Sequence, residues 1–250
     1  MPEVSINLNG KVALITGGTR GIGKSIAELF ITAGAIILVT GTKKEEIEAL
    51  NKTEKTCKVT YLYLDFSVEE SVSDFINKTL PKYQVDILIN NAGINKIDLN
   101  IKTTDNDFDL LNDVNLKGPY ILTREVSKQM KTKGYGRIVN ITSIWSVVSR
   151  SGRSLYSLTK WGIIGLTKTL SIELAENNIL VNSVAPGFTK TDLTESTNSK
   201  EELKTINSLI PMKRMAEPIE IANLVAFLSS NLNTYITGQN IVIDGGYTNV

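Results

Sequence analysis

The sequence predicts an α/β fold: one doubly wound domain over residues 1–250, with a predominantly parallel seven-stranded sheet and helices on both faces. Three observations carry that expectation. Short apolar runs alternate with segments of helical spacing along the whole chain, and strict β–α alternation builds parallel sheets. The apolar runs are continuous rather than alternating, as in strands covered on both faces. No Pro- or Ser-rich linker, internal repeat or low-complexity stretch divides the 250 residues, a length that one such domain accommodates.

The elements follow in order. Val12–Ile15 is an apolar run ending at Thr16-Gly17-Gly18. Ile22 to Ala33 carries Ile22, Ile26, Leu29, Phe30 and Ala33 at helical spacing, and Gly34 stops it. Ile36–Val39 is the second strand and Lys44–Leu50 the second helix. A strand over Lys58–Leu64 ends at Asp65, a helix over Val68–Thr79 precedes Pro81, and a strand over Asp86–Ile89 runs into Asn90-Asn91-Ala92-Gly93. A long helix covers Asn106–Lys131, with an irregularity expected at Gly118-Pro119 because proline lacks an N–H. Strand Arg137–Ile141, helix Tyr156–Ala175 and strand Leu180–Val184 follow, the last ending at Pro186-Gly187. The polar stretch Thr189–Lys204 shows no strand pattern. Helix Ile219–Leu228 and strand Asn240–Ile243 complete the chain before Asp244-Gly245-Gly246.

Composition narrows the chemistry. There are 27 basic and 26 acidic residues, so no strong field invites nucleic acid or an anionic membrane. The single cysteine, Cys57, excludes an internal disulfide and a cysteine-rich metal site. With no histidine, proton chemistry falls to Tyr, Lys, Asp, Glu, Ser or relayed water. No apolar run is long enough for a membrane span, and the polar first ten residues lack the core of a secretion signal. A cytoplasmic setting is the expectation.

Five constellations stand out. In Thr16-Gly17-Gly18-Thr19-Arg20-Gly21-Ile22-Gly23, glycines let the backbone turn sharply between the first strand and helix. The helix start then offers N–H groups to a diphosphate. Tyr156 and Lys160 are four residues apart and so share a helix face. A nearby ammonium stabilises phenolate and is expected to lower the tyrosine's ordinary pKa of about 10. Such a phenol can donate or accept a proton at a carbonyl oxygen, which a serine such as Ser143 could hold. Asn90-Asn91-Ala92-Gly93, Asn115 and Pro186-Gly187 are, taken singly, a turn, a solvated helix residue and a turn.

Taken together, these motifs resemble the classical short-chain dehydrogenases/reductases, in order and spacing, from about Leu8 to Tyr247. The resemblance implies a Rossmann-type dinucleotide fold with Tyr156 as general acid/base. It implies that Lys160 lowers the tyrosine's pKa and binds the nicotinamide ribose, that Ser143 orients the substrate oxygen, and that Asn115 holds a relay water. Gly17, Thr19, Arg20, Gly21, Ile22 and Gly23 would surround the diphosphate, with Asp65 and Phe66 at the adenine. Asn91, Ala92 and Gly93 would line the cleft, Pro186, Gly187 and Thr189 would flank the carboxamide, and Thr191 would reach a phosphate. No metal is required, and a homotetramer is implied. The absence of histidine also disfavours a zinc-dependent alcohol dehydrogenase.

An NAD enzyme usually places a carboxylate at the end of the second strand for the ribose 2′-OH. Here Gly41 stands there, followed by Thr42 and Lys43, with Arg20 nearby in the glycine turn. Neutral space and two cations favour NADP(H), with NAD(H) as the alternative. From Arg137 to Tyr247 the sequence is most similar to 3-oxoacyl-[acyl-carrier-protein] reductases, which implies an acyl-thioester substrate and an acyl carrier protein as partner. Two arginines expected beside such a site are replaced by Gly134 and Asn177, with Lys131, Lys133 and Arg137 near the first. Trp145, Arg150 and Arg153 stand near the expected mouth and suit an anionic or sugar-like compound. The alternatives are therefore another small alcohol, ketone or sugar-like substrate, and a non-catalytic NADP-binding regulatory protein.

Overall fold

A computed structural model describes residues 5–55, 58–191, 194 and 199–250; Cys57 and part of the polar stretch after Thr191 lie outside them. Among the described residues, seven strands form one sheet: β1 (Val12–Ile15), β2 (Ile36–Gly41), β3 (Val59–Tyr63), β4 (Ile87–Asn90), β5 (Gly136–Ile141), β6 (Ile179–Pro186) and β7 (Asn240–Ile243). Their order is β3-β2-β1-β4-β5-β6-β7, and every pairing is parallel. Among the described residues eight α-helices accompany them: α1 (Gly21–Thr32), α2 (Lys44–Thr53), α3 (Glu69–Asp74), α4 (Asp105–Asn112), α5 (Gly118–Lys133), α6 (Ser154–Glu173), α7 (Lys200–Leu209) and α8 (Pro218–Ser229).

The period-two pleat divides the apolar residues of each strand between two cores. Ala13 and Ile15 of β1 and Ile37 and Val39 of β2 meet Ile26 and Phe30 of α1 and Ile221 and Val225 of α8. Leu14, Leu38, Leu88 and Ile138 face the other way, onto Leu122, Val126 and Met130 of α5. Both faces are thereby dry, which is why the strands read as unbroken apolar runs. The chain leaves β1 in one direction through β2 and β3, then returns to the other side of β1 with β4. That reversal opens a crevice at the carboxyl ends of β1 and β4, where sheets of this kind hold ligands.

Three expectations need correction. The long helix expected over Asn106–Lys131 winds without a break from α4 into α5, but through a wide π turn over Asp113–Lys117. The irregularity therefore precedes Gly118-Pro119, which instead starts α5. The polar stretch Thr189–Lys204 runs into the start of α7. Its signal was available: Ser199 and Glu202 exchange bonds with each other's backbone in a capping box. The long helix after Ser143 begins at Ser154 rather than Tyr156. On that helix Trp161 is exposed, while Ile164 is buried and Leu170 packs against the core.

Candidate active site

The crevice begins with a hydrogen-bond clasp between two strand ends. Thr16 follows β1, and its hydroxyl accepts from the Asn91 and Ala92 N–H groups, each at 3.0 Å. The Asn91 side-chain amide donates back to the Thr16 and Gly17 carbonyls at 2.9 and 3.0 Å. Gly17 has φ +62°, and a Cβ there would lie 2.9 Å from the Ala92 Cα, so only glycine fits. Gly23 is closed on three sides, with the Asn91 amide nitrogen 2.5 Å from where a Cβ would stand. Arg20 precedes α1 without a side-chain cap, so the first N–H groups of the helix have no capping partner. They face the cleft that Arg20 and Ile22 help line.

The cleft has a volume of about 570 Å³. Ser143 follows β5, and its hydroxyl accepts from the Trp145 N–H at 3.3 Å. Tyr156 and Lys160 lie one turn apart on α6 and line the same cleft. The Lys160 Nζ donates to the Ile141 carbonyl at 2.9 Å and sits 5.5 Å from the Tyr156 ring centroid. Burial depresses the lysine's pKa to about 8. Burial also pushes the Tyr156 phenol up, opposed by its hydrogen bond to Ser143 and by the Arg153 charge. In this arrangement desolvation is the larger influence on the phenol, and the cation that opposes it is Arg153.

Asn115 stands behind the cleft, 1% exposed, on the π turn. Its side-chain oxygen accepts from the Ile94 N–H at 2.8 Å. Its amide donates to the Ile94 carbonyl at 2.9 Å and to the Thr159 hydroxyl at 3.2 Å. A Cβ on Gly93 would lie 3.3 Å from the Asn115 oxygen and 3.5 Å from the Lys160 Nζ, so these three residues meet at one point.

Other expected residues divide. Pro186, Gly187, Thr189 and Thr191 line the cleft. Gly187 has no room for a side chain, since a Cβ would lie 2.7 Å from the Asp244 backbone. The Thr191 methyl is 3.4 Å from a Cβ placed on Gly21, which brings the loop after β6 against the glycine turn. Thr42 and Lys43 are exposed just beyond Gly41, and neither Arg20 nor Lys43 has an ion-pair partner among the described residues. Asp65 folds its carboxylate onto the Ser67 N–H and hydroxyl, at 2.9 and 2.6 Å. The Phe66 side chain does not enter the cleft: it is buried against Gly118, leaving only its backbone for a cofactor.

The places of the two absent arginines also need correction. Gly134 and Asn177 precede β5 and β6, at the end of the strands opposite Ser143 and Gly187. Within one protomer they are not beside the site. Two of the three neighbouring cations are engaged: Lys133 bonds the buried Asp86, and Arg137 is buried with its guanidinium on the Gly136, Asn178 and Asn233 carbonyls. Sequence reasoning missed Ile94, Asn95, Ile97, Phe188 and Ile206 in the cleft wall. Ile206 belongs to α7, and its helical context was the signal.

A glycine turn at the switch point, an uncapped helix start and a Ser–Tyr–Lys cluster in one cleft define a dinucleotide-dependent oxidoreductase class. Residues 17–248 match the family model described as Enoyl-(Acyl carrier protein) reductase. The chain is 42% identical over 241 residues to the 3-oxoacyl-[acyl-carrier-protein] reductase FabG of Rickettsia prowazekii, covering 96% of this chain and 98% of that one. Among solved structures it is similar to a putative gluconate dehydrogenase from Agrobacterium tumefaciens, at TM-score 0.90 and 31% identity, covering 99% and 100% of the two chains. It is similar also to ElxO with NADP bound, at TM-score 0.87 and 34% identity, covering 96% and 99%. The chain belongs to the short-chain dehydrogenase/reductase family.

Proposed function

We propose that the chain is an NADP(H)-dependent oxidoreductase that interconverts a carbonyl and a secondary alcohol through Ser143, Tyr156 and Lys160, with 3-oxoacyl thioesters as its first substrate class. The observation that carries this reading is convergence: the Ser–Tyr–Lys cluster opens onto the same cleft as the glycine turn and the uncapped start of α1. The name of the 42% identical relative supports the thioester. NADP(H) is supported by the neutral Gly41, the unpaired Arg20 and Lys43, and the NADP bound in a structural relative.

A nicotinamide dinucleotide fits the residues present. The N–H groups of Gly21, Ile22 and Gly23 would take the diphosphate, Thr191 a phosphate oxygen, and Arg20 and Lys43 the 2′-phosphate. Bound there, the nicotinamide supplies or takes a hydride. Ser143 holds the substrate oxygen by its hydroxyl, and Tyr156 gives that oxygen a proton in reduction or accepts one in oxidation. The raised phenol keeps its proton at neutral pH, which suits the role of acid. Lys160 binds the ribose and passes protons onward. The side chain of Asn115 is already satisfied by Ile94 and Thr159. Its main-chain carbonyl is the better water holder, because Pro119, four residues on, has no N–H to offer it.

The test mixes the protein with NADPH and an acetoacetyl thioester and follows loss of NADPH absorbance. Reduction with NADPH preferred over NADH by about tenfold, roughly 1.4 kcal/mol, is the expected result. Binding of NADPH without turnover of this thioester or of any simple ketone would favour the regulatory reading instead. An acyl carrier protein is the proposed natural carrier of the acyl chain. We infer a homotetramer as well: Leu158, Trp161 and Ile172 leave an apolar stripe on the outer face of α6, and closed symmetric assemblies cover such stripes. Light scattering is expected to give four times the chain mass, and Trp161→Glu to lower it.

A further inference from the structure

Arg153 lies just before α6, three residues ahead of Tyr156, and its side chain lines the cleft. Its guanidinium carbon sits 5.3 Å from the Trp145 ring centroid, and that of Arg150 sits 6.0 Å from the same ring. Trp145 is held in turn by edge-on contacts with Phe188 and Tyr247, centroids 6.3 and 6.2 Å away. The indole is therefore a fixed wall that sets the plane of the guanidinium.

What Arg153 lacks is an acid. Among the described residues it makes no ion pair, and none of those lining the cleft is Asp or Glu. Its Nε is buried and has no hydrogen-bond partner. Burial opposes its charge, and Tyr156 and Tyr247 are the phenols that feel it. A partly desolvated cation with an unused N–H costs stability unless something pairs with it. Stacking on Trp145 offsets part of that cost but uses the guanidinium face and leaves its donor edge free. That edge is a planar fork matched to the two oxygens of a carboxylate. Of the other cations lining the cleft, Lys160 is tied to the Ile141 carbonyl, and Arg20 stands at the glycine turn rather than beside Tyr156.

We infer that the cleft takes anionic oxo acids as a further substrate class, Arg153 holding the carboxylate while Tyr156 and Ser143 hold the carbonyl being reduced. This goes beyond neutral thioesters but rests on the proposed carbonyl reduction at Tyr156. For a 3-oxo acid the step balances. A hydride passes from the reduced nicotinamide to C3, and the Tyr156 proton passes to the C3 oxygen. The carbonyl becomes a secondary alcohol, the nicotinamide is oxidised, and the carboxylate is unchanged. Tyr156 is reprotonated from solvent.

Acetoacetate and methyl acetoacetate share a skeleton and differ in the charge at C1. With NADPH, kcat/KM for acetoacetate is expected to exceed that for the ester by tenfold or more. Arg153→Gln is expected to cut that ratio at least tenfold, and Arg153→Lys to keep more of it. The ratio cancels any effect of Arg153 on the Tyr156 phenol, which would move both substrates alike. Calorimetry gives a second readout: 3-hydroxybutyrate is expected to bind the NADPH-loaded protein at least tenfold more weakly in Arg153→Gln. Reduction of the ester without preference for the acid, or a ratio and a binding constant untouched by Arg153→Gln, would overturn the inference while leaving carbonyl reduction standing. If acetoacetate, its ester and the acetoacetyl thioester are all inert, the proposed reduction itself falls and takes the inference with it.

Discussion

The two halves of the cleft are built by different means. From Thr16 to Gly93, the backbone makes the site: two glycines with positive φ, an uncapped helix start, and the Thr16–Asn91 clasp between strand ends. From Ser143 to Ile206, side chains make it: Trp145, Arg153, Phe188 and Ile206 reach in from a loop, a helix start, the turn after β6 and α7. A backbone-built site leaves glycines at fixed spacing in the sequence. A side-chain-built wall leaves ordinary residues whose meaning comes only from what they meet. The first half therefore speaks for the family and the second for the substrate.

The comparison breaks most visibly at Tyr156, where the halves meet. Tyr156→Phe is expected to keep NADPH affinity, measured calorimetrically, and to lose about 10²-fold or more in turnover for want of the proton. Near-normal turnover would remove the phenol from the mechanism and detach the cluster from the cofactor half.

Lys160 sharpens the contrast between stability and function. Its folded pKa of about 8 lies below the ordinary 10.5. The charge penalty is full below about pH 8, falls as pH rises toward 10.5, and is gone above it. At neutral pH it amounts to about 3 kcal/mol. Losing the charged bond to the Ile141 carbonyl takes back about 2 kcal/mol, so Lys160→Met is expected to raise the Tm of the cofactor-free protein by about 2–4 °C. The same change is expected to abolish turnover. In the parent protein, reductive turnover is expected to decline as pH rises through about 8 and the ammonium is lost. A lower Tm in Lys160→Met would show that the lysine supports the fold rather than burdening it.

The smallest expected effect tests the outer edge of the cofactor half. Arg20 and Lys43 are exposed, so each contact to a 2′-phosphate is screened. Arg20→Ala with Lys43→Ala is expected to weaken NADPH binding by about tenfold, roughly 1.4 kcal/mol, while NADH binding stays level. Equal losses for both cofactors would move the two cations to the shared diphosphate.

The sheet was legible because each strand carries its own apolar run and turn residues. The candidate chemistry was legible in Gly17, Ser143, Tyr156 and Lys160 because, together with the other motifs, their order and spacing resemble the family; taken singly, none of them would have told. Other features depend on contacts that spacing does not reveal. Asn91 reads as a turn residue, yet its amide holds two carbonyls of the glycine turn. Phe66 follows Asp65 directly, yet points into the helix beside it because Gly118 leaves a hollow there. Arg137 opens a strand as a charged residue, yet is buried on three carbonyls. Ile164 and Leu170 read like Trp161, and only the rotation of α6 separates them. Arg153 could be seen near the mouth, but that it lacks an acid needed the surrounding side chains.

The π turn that carries Asn115 makes this stretch sensitive to length rather than to composition. Each helical residue advances the chain by about 100°. Removing one residue between Asp113 and Lys117 would close the π turn to α-helical winding, leaving α4 and α5 nearly in phase but shifting Asn115 off the Ile94 backbone. Substitutions on the outer side of that turn leave its register alone. Anyone recombining this chain with a relative can cross over within α4 or α5, but has to conserve the residue count between them.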